Sequence, residues 1–310
     1  MRALVLAAGL GTRLHPLTLA RAKAAAAVDG EPLVRRTVRW LGTHGFRDLV
    51  VNLHHKPETI TAVLGDGSDL GARVRYSWES PVLGSAGGPR HALPLLLSGT
   101  AERTAVIVNG DTLTNVDLAA MIDQHRRTGA LVTMALIPNP RPEKYGGVLL
   151  DEYQNVTGFA RRGAGQDNFH FIGPQVVEAD AFMSLEDGVV AETVLGIYPK
   201  LMEARRGSVM GFVSDASFQD IGTPADLLHT SLDLASADRR NGEPRPGRNA
   251  VIAATARVSR SVLWDDVTVG DNAVLFECVV GDGVSIPAGA RYERCAIVNS
   301  GGGLIVETLR

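Results

Sequence analysis

The run Leu4-Val5-Leu6-Ala7-Ala8-Gly9-Leu10-Gly11-Thr12-Arg13-Leu14 begins as an unbroken apolar stretch and opens into a glycine-rich segment carrying an arginine. The apolar half reads as a parallel-sheet strand covered on both faces, which needs no polar alternation. The glycine half reads as an anion-binding loop. Glycines let the backbone bend tightly and approach a ligand without a Cβ in the way, so that successive N–H groups can converge on oxyanions, and Arg13 adds a forked cationic donor. Two other glycine loops do not fit. A dinucleotide-binding loop needs a third glycine where Leu14 stands, and Asp29, its candidate acidic partner, lies in the turn-like Val28-Asp29-Gly30-Glu31-Pro32 and not at the end of a second strand. A Walker loop needs Gly-Lys-Ser or Gly-Lys-Thr, which does not follow.

Working outward, apolar runs alternate with amphipathic helical stretches: Ala3–Ala8 then Leu33–His44, Leu49–Leu53 then Pro57–Leu64, Val74–Ser77 then Ala86–Leu97, Ala105–Asn109 then Leu118–Thr128, and finally Leu131–Ile137. This alternation predicts a doubly wound, Rossmann-like α/β sheet. Ligands collect at the carboxyl ends of such strands, where Gly9–Arg13, Asn52–His55 and Asn109–Asp111 fall. Asp117 reads as an N-terminal cap for the Leu118 helix at least as well as a site carboxylate. Adjacent His54 and His55 would project to opposite sides of an extended segment, so packing explains them better than a shared metal.

The 310 residues carry 31 Lys and Arg against 34 Asp and Glu, a net charge of −3, which speaks against a nucleic-acid or membrane surface and for small-molecule partners. Arg2 ahead of an apolar run mimics a secretion signal, but Gly11-Thr12-Arg13 breaks that run. No stretch approaches membrane-spanning length. Two cysteines make no disulfide framework, so a cytoplasmic location is expected.

The α/β pattern ends near residue 236. Residues 237–249, rich in proline, glycine and charge, read as a linker. Over 250–310 a repeat follows, with apolar or aromatic residues at Ile252, Val258, Leu263, Val269, Leu275, Val280, Ile286, Tyr292 and Ile297, in steps of 6, 5, 6, 6, 5, 6, 6 and 5. Small or β-branched residues precede each by two positions, from Ala250 through Cys278 to Cys295. Three steps close a coil of 17 residues, the pattern of a triangular parallel β-helix with one side shortened. Cys278 and Cys295 should stack as reduced core residues in adjacent coils, and Leu304-Ile305-Val306 should form a closing strand after Gly301-Gly302-Gly303.

The ordered string Gly9-x-Gly11-Thr12-Arg13-Leu14-x-Pro16-Leu17-Thr18, Arg21-Ala22-Lys23 and Val28-x-Gly30-x-Pro32-Leu33 resembles the signature of the sugar-1-phosphate nucleotidyltransferases. Leu83–Gly88, Val108-Asn109-Gly110-Asp111, Tyr145-Gly146-Gly147 and Asp220-Ile221-Gly222-Thr223-Pro224 follow in family order, so the resemblance covers most of residues 1–235. It is nearest the branches that make GDP-mannose and UDP-N-acetylmuramate. For the repeat, the resemblance implies a left-handed β-helix, an exception to the usual right-handed crossover.

The resemblance implies attack of a sugar-1-phosphate on the α-phosphorus of a nucleoside triphosphate, giving an NDP-sugar and pyrophosphate. It implies catalytic roles for Arg13, Lys23 and Asp111, with Mg2+ held by Asp111 and Asp220. Nucleotide contacts fall to Ala7, Ala8, Gly9, Gly11, Thr12, Gly84, Ala86, Gly87, Gly88, Asn109 and Gly110. Sugar-phosphate contacts fall to Tyr145, Gly146, Arg162, Gly173 and Glu192. GTP with mannose-1-phosphate is the first expectation and UTP with an amino sugar-1-phosphate the second. Two departures stand out: Ala22-Lys23 followed by Ala24–Ala27 where relatives carry Pro-Lys-Pro, and Phe159-Ala160-Arg161-Arg162 where many carry Phe-x-Glu-Lys. They leave open a non-catalytic NDP-sugar-binding regulatory subunit. Acyl transfer by the repeat fits poorly, because the last histidine is His229. The repeat is expected to join subunits of a homo-oligomer and to do no chemistry.

Overall fold

The structure, a computed structural model, describes residues 1–165, 167–238 and 240–309; Arg239 of the expected linker and Arg310 of the expected repeat lie outside the described residues, as does Gln166. Contacts divide the chain into two compact units: Met1–Gly9, Thr37–His54 and Leu64–Phe218 form the first, and Leu10–Arg36, His55–Val63 and Gln219–Arg310 the second.

In the first unit, nine described strands form one sheet: β1 (Arg2–Leu6), β2 (Asp48–Leu53), β3 (Arg73–Trp78), β4 (Thr104–Asn109), β5 (Val132–Pro138), β6 (Gly147–Leu150), β7 (Val156–Ala160), β8 (Phe169–Glu178) and β9 (Val209–Val213). The order β7-β6-β8-β4-β1-β2-β3 places β1 centrally, parallel to β2 and β4, with β5 and β9 branching from β8. The expected parallel, doubly wound part is therefore β4-β1-β2-β3, and β8 runs antiparallel beside β4. Leu4 and Ile107 are fully buried in a core shared with Val50, Met134 and Phe182, which is why these strands read as unbroken apolar runs. Asp117 caps the helix Leu118–Thr128 as expected, accepting from Ala120 N at 3.0 Å.

The second unit joins the signature segment to the repeat. The signature folds as short 3-10 turns at Thr12–Leu14, Leu17–Leu19 and Lys23–Ala25, then a hairpin pairing Ala27–Val28 with Glu31–Pro32. The run that replaces the expected prolines is buried: Ala22, Ala25 and Ala26 have no exposed surface, and Ala24 and Ala27 almost none. Thr223 and Asp226 form a reciprocal capping box that starts the helix Pro224–Ala237.

Every parallel pair in the repeat is 17 residues apart, as in Val251 with Thr268, Arg257 with Val274 and Val262 with Val279. Leu263, Val269, Leu275, Val280, Ile286 and Ile297 point inward with the small-residue set Val267, Ala273, Cys278, Val284 and Cys295. Positive φ angles recur at corners with the same period, at Asn249, Asp266 and Gly283 and at Arg260, Glu277 and Arg294. Cys278 and Cys295 are buried and free, with Sγ atoms 3.7 Å apart. Contact with Cys278 and burial push the Cys295 thiol up, so it stays protonated. Gly303–Thr308 closes the stack antiparallel to Cys295–Ser300.

Candidate active site

In the second unit, Gly11 takes a left-handed φ of 63° and lies under the Lys23 side chain: a Cβ at Gly11 would meet Lys23 Cβ at 2.9 Å and Thr18 Cγ2 at 3.0 Å. Only glycine allows both the turn and this approach. The Arg13 guanidinium rests on Gly222, where an added Cβ would lie 2.9 Å from Nη1. Arg13, Lys23 and the Asp220-Ile221-Gly222 segment are thus gathered in one unit, although up to 209 residues separate them in sequence. A cavity of about 430 Å3 opens beside Arg13, lined also by His15, Thr223, Pro224 and Glu307.

In the first unit, the end of β1 is held by a buried polar network. Asn52 Oδ1 accepts from Ala7 N at 2.6 Å and from Ala8 N at 3.3 Å, while its Nδ2 donates to Glu79 Oε1 at 2.6 Å. Glu79 Oε2 accepts from Leu83 N at 2.8 Å. The amides of Ala7 and Ala8 are therefore engaged within the protein. The next residue, Gly9, has no neighbour within 4 Å of where a Cβ would stand. Gly110 N donates to Leu6 O at 2.9 Å, tying the Asn109-Gly110-Asp111 turn to the end of β1. Gly173, at φ 109° where β8 bulges, faces the same turn, 3.1 Å from Asn109 Nδ2 for an added Cβ.

Gly84–Gly88 is the first turn of the helix Gly84–Leu97, which starts two residues before the helical stretch expected from Ala86. The left-handed φ of 79° at Gly84 lets the chain pivot into that helix. Its free amides already have acceptors, since Ala86 N and Gly87 N donate to Ala191 O at 2.9 and 3.1 Å. Ser85 Oγ donates to Glu192 Oε2 at 2.5 Å, placing Glu192 on this turn.

Tyr145 stacks on His170 with ring centroids 4.2 Å apart and meets Phe218 edge-on at 5.8 Å. Arg141 and Lys144 lie over the Tyr145 ring at 5.4 and 5.3 Å. Burial pushes the His170 imidazole down to about 4, so it is neutral at pH 7. Arg161 and Arg162 are exposed beyond β7. His54 donates through Nδ1 to Glu79 O at 3.0 Å, and His55 through Nε2 to Thr18 O at 3.3 Å, so backbone packing accounts for both. Asp29 sits in the hairpin turn expected for it, its carboxylate gripped by both terminal nitrogens of Arg240 at 2.9 and 2.5 Å. Sequence reasoning missed Glu79, whose position after β3 carries no periodic signal and whose role appears only with Asn52 and Leu83 in place.

A nucleotidyl transferase family model matches residues 2–237, and a GlmU-like C-terminal hexapeptide model matches residues 247–294. The chain belongs to the nucleotidyl transferase family. It is 29% identical over 301 residues to a mannose-1-phosphate guanylyltransferase of Mycobacterium tuberculosis, covering 94% of this chain and 83% of that protein. It is 26% identical over 289 residues to a UTP–glucose-1-phosphate uridylyltransferase of Synechocystis, covering 87% of this chain and 72% of the relative. Crystalline HddC from Yersinia pseudotuberculosis shares the fold, with a TM-score of 0.65 at 21% identity over 75% of this chain and 99% of its own.

Proposed function

We propose that this chain transfers a nucleoside monophosphate from a nucleoside triphosphate to a sugar-1-phosphate, releasing pyrophosphate, with GTP and mannose-1-phosphate as the favoured pair. The observation that carries the reading is the second-unit arrangement of Lys23 across Gly11 and Arg13 against Gly222. Such cations answer the main physical demand of the reaction. A phosphate monoester has a second pKa of about 6, so the sugar phosphate is already a dianionic nucleophile at neutral pH and needs no general base. The protein must instead hold two anions in line and stabilise charge growing on the leaving pyrophosphate. We assign Gly9, Gly11 and Thr12 to the triphosphate, Arg13 to its pyrophosphate portion and Lys23 to the charge of the transition state. Asn109, Gly110, Gly84 and Ala86–Gly88 are assigned to the nucleoside, and Tyr145, Gly146, Arg162, Gly173 and Glu192 to the sugar phosphate.

Asp111 and Asp220 offer the oxygen donors that Mg2+ prefers, and one or two carboxylates suffice when substrate phosphates complete the shell. Mg2+ would supply charge neutralisation at the phosphates. On this reading residues 1–236 carry the transfer chemistry, 237–249 connect, and 250–310 join subunits of a homo-oligomer. The free Cys278 and Cys295 suit a reducing, cytoplasmic setting.

The test is a matrix of nucleoside triphosphates against sugar-1-phosphates, followed by pyrophosphate release. The greatest kcat/KM is expected for GTP with mannose-1-phosphate. Preference for UTP with an amino sugar phosphate would move the substrate assignment. Binding of an NDP-sugar with no turnover of any pair would replace the transferase by a regulatory subunit.

A further inference from the structure

Arg21 lies two residues before Lys23 and is only 8% exposed. Its Nη2 donates to Asp265 Oδ2 at 2.8 Å and to Asp282 Oδ1 at 2.5 Å, and its Nε donates to Asp282 Oδ2 at 2.5 Å. Asp265 and Asp282 stand 17 residues apart, at the same corner of successive coils. The guanidinium also lies 5.2 Å from the ring centroid of Trp264, a fully buried side chain. The Trp264 indole N–H in turn donates to Ala27 O at 3.0 Å. Both ends of the segment Arg21–Ala27, which contains Lys23, are thus fastened to the repeat, and the methyl-sized side chains at Ala22 and Ala24–Ala27 are buried.

We propose that the β-helix is a working part of the catalytic apparatus: Arg21, Asp265, Asp282 and Trp264 are positioning residues that clamp the signature segment and so fix Lys23 in its catalytic place. This rests on the transferase reading above and adds to the assembly role assigned to the repeat. The chemical reason is that a bidentate carboxylate pair on a guanidinium, seated against an aromatic face, fixes direction as well as distance. Removing a partner leaves a buried charge that must move or rehydrate. A small displacement at Lys23 then acts on rate, because positioning error of about 1 Å can cost on the order of 100-fold in turnover.

The test uses the full-length protein and compares Asp282→Asn, Asp282→Glu and the control Glu277→Gln, whose carboxylate pairs with Arg260 and Arg294 on the repeat. Asp282→Asn should lower kcat by at least about 10-fold with KM for the sugar phosphate changed less than about two-fold, since the loss concerns transition-state contact. Asp282→Glu should recover much of kcat, and Glu277→Gln should match wild type. Amide hydrogen exchange should quicken about 10-fold at Ala25 and Ala26, which close the turn carrying Lys23, and stay unchanged at β1. Unchanged kcat in Asp282→Asn overturns the proposal, and so does equal loss in Glu277→Gln. If the wild-type protein turns over no substrate pair, the proposed reaction fails by itself, and the exchange arm still decides the clamp: unaltered exchange at Ala25 and Ala26 would refute it.

Discussion

Two glycine-rich segments of the first unit, one reaching Gly9 and the other at Gly84–Gly88, look alike in sequence and differ in what lies against them. In the first unit, Gly87 and Gly88 are small because protein lies against them: an added Cβ would meet Val189 O at 2.6 Å or Glu79 Oε1 at 2.5 Å. The amides of that turn are taken by Ala191. The contrast within the same unit is Gly9, after β1, where nothing would obstruct a Cβ. Glycine serves internal packing in one place and leaves backbone open to a ligand in the other. A string of glycines therefore states that something comes close and does not state whether that something is protein or substrate.

The contrast is broken most directly by removing the charges proposed to meet the phosphates. Lys23→Ala and Asp111→Ala should each lower turnover by about 10²–10³-fold with little loss of folding, as loss of one preorganised electrostatic contact does. Steady-state pyrophosphate release beside circular dichroism checks both, and near-wild-type kcat at saturating Mg2+ in either variant would falsify its assigned role. Next in size is the glycine pair itself. Gly88→Ala should destabilise the protein by about 1–3 kcal/mol through overpacking against Glu79 and Asn52. Gly9→Ala should stay within about 0.5 kcal/mol of wild type in denaturant unfolding. If Gly9→Ala also leaves triphosphate affinity intact, close ligand approach at Gly9 is wrong.

Much of this was legible in the sequence because period and composition carry it. The apolar runs at Leu4 and Val50 announce buried central strands, and the spacing of Leu263, Val280 and Ile297 gives the coil length directly. The turn at Asp29-Gly30 was legible for the same kind of reason, two residues suited to positive φ between short strands. Less visible were pairings set only by tertiary structure. Asn52 and Glu79 are 27 residues apart and neither position is periodic. Arg21 reads as one more basic residue of a signature until Asp282, 261 positions later, is seen on it. The helix expected from Ala86 begins two residues earlier, at Gly84, because the left-handed φ there pivots the chain into it, which no periodic pattern signals.

Arg162, exposed beyond β7 and proposed above as a sugar-phosphate contact, sharpens the comparison from the substrate side. Arg162→Ala should raise the KM for the sugar phosphate by about 10-fold, the equivalent of about 1.4 kcal/mol, with kcat little changed. An unchanged KM would remove Arg162 from the sugar-phosphate contacts.

The smallest expected effect separates the units by what holds them. The first unit's sheet core is apolar, whereas the second unit ties its signature segment down with ions. Burial alone would raise the Asp265 carboxyl, but hydrogen bonds from Arg248 and Arg21 outweigh it and hold the group below its ordinary value. A carboxylate depressed in the folded state stabilises fully above its unfolded pKa of about 4, and that contribution fades as pH falls through the folded value. Acid should therefore loosen the Arg21 and Arg248 contacts that Asp265 makes in the second unit. Trp264, buried in the second unit, reports on it by fluorescence once Trp40 and Trp78 of the first unit are replaced by Phe. In that background, Asp265→Asn should lower the midpoint of the Trp264 transition at pH 7, and the gap from its parent should narrow below about pH 4 as Asp265 becomes protonated. A gap of constant size down to pH 3 would show that Asp265 contributes by shape and not by charge.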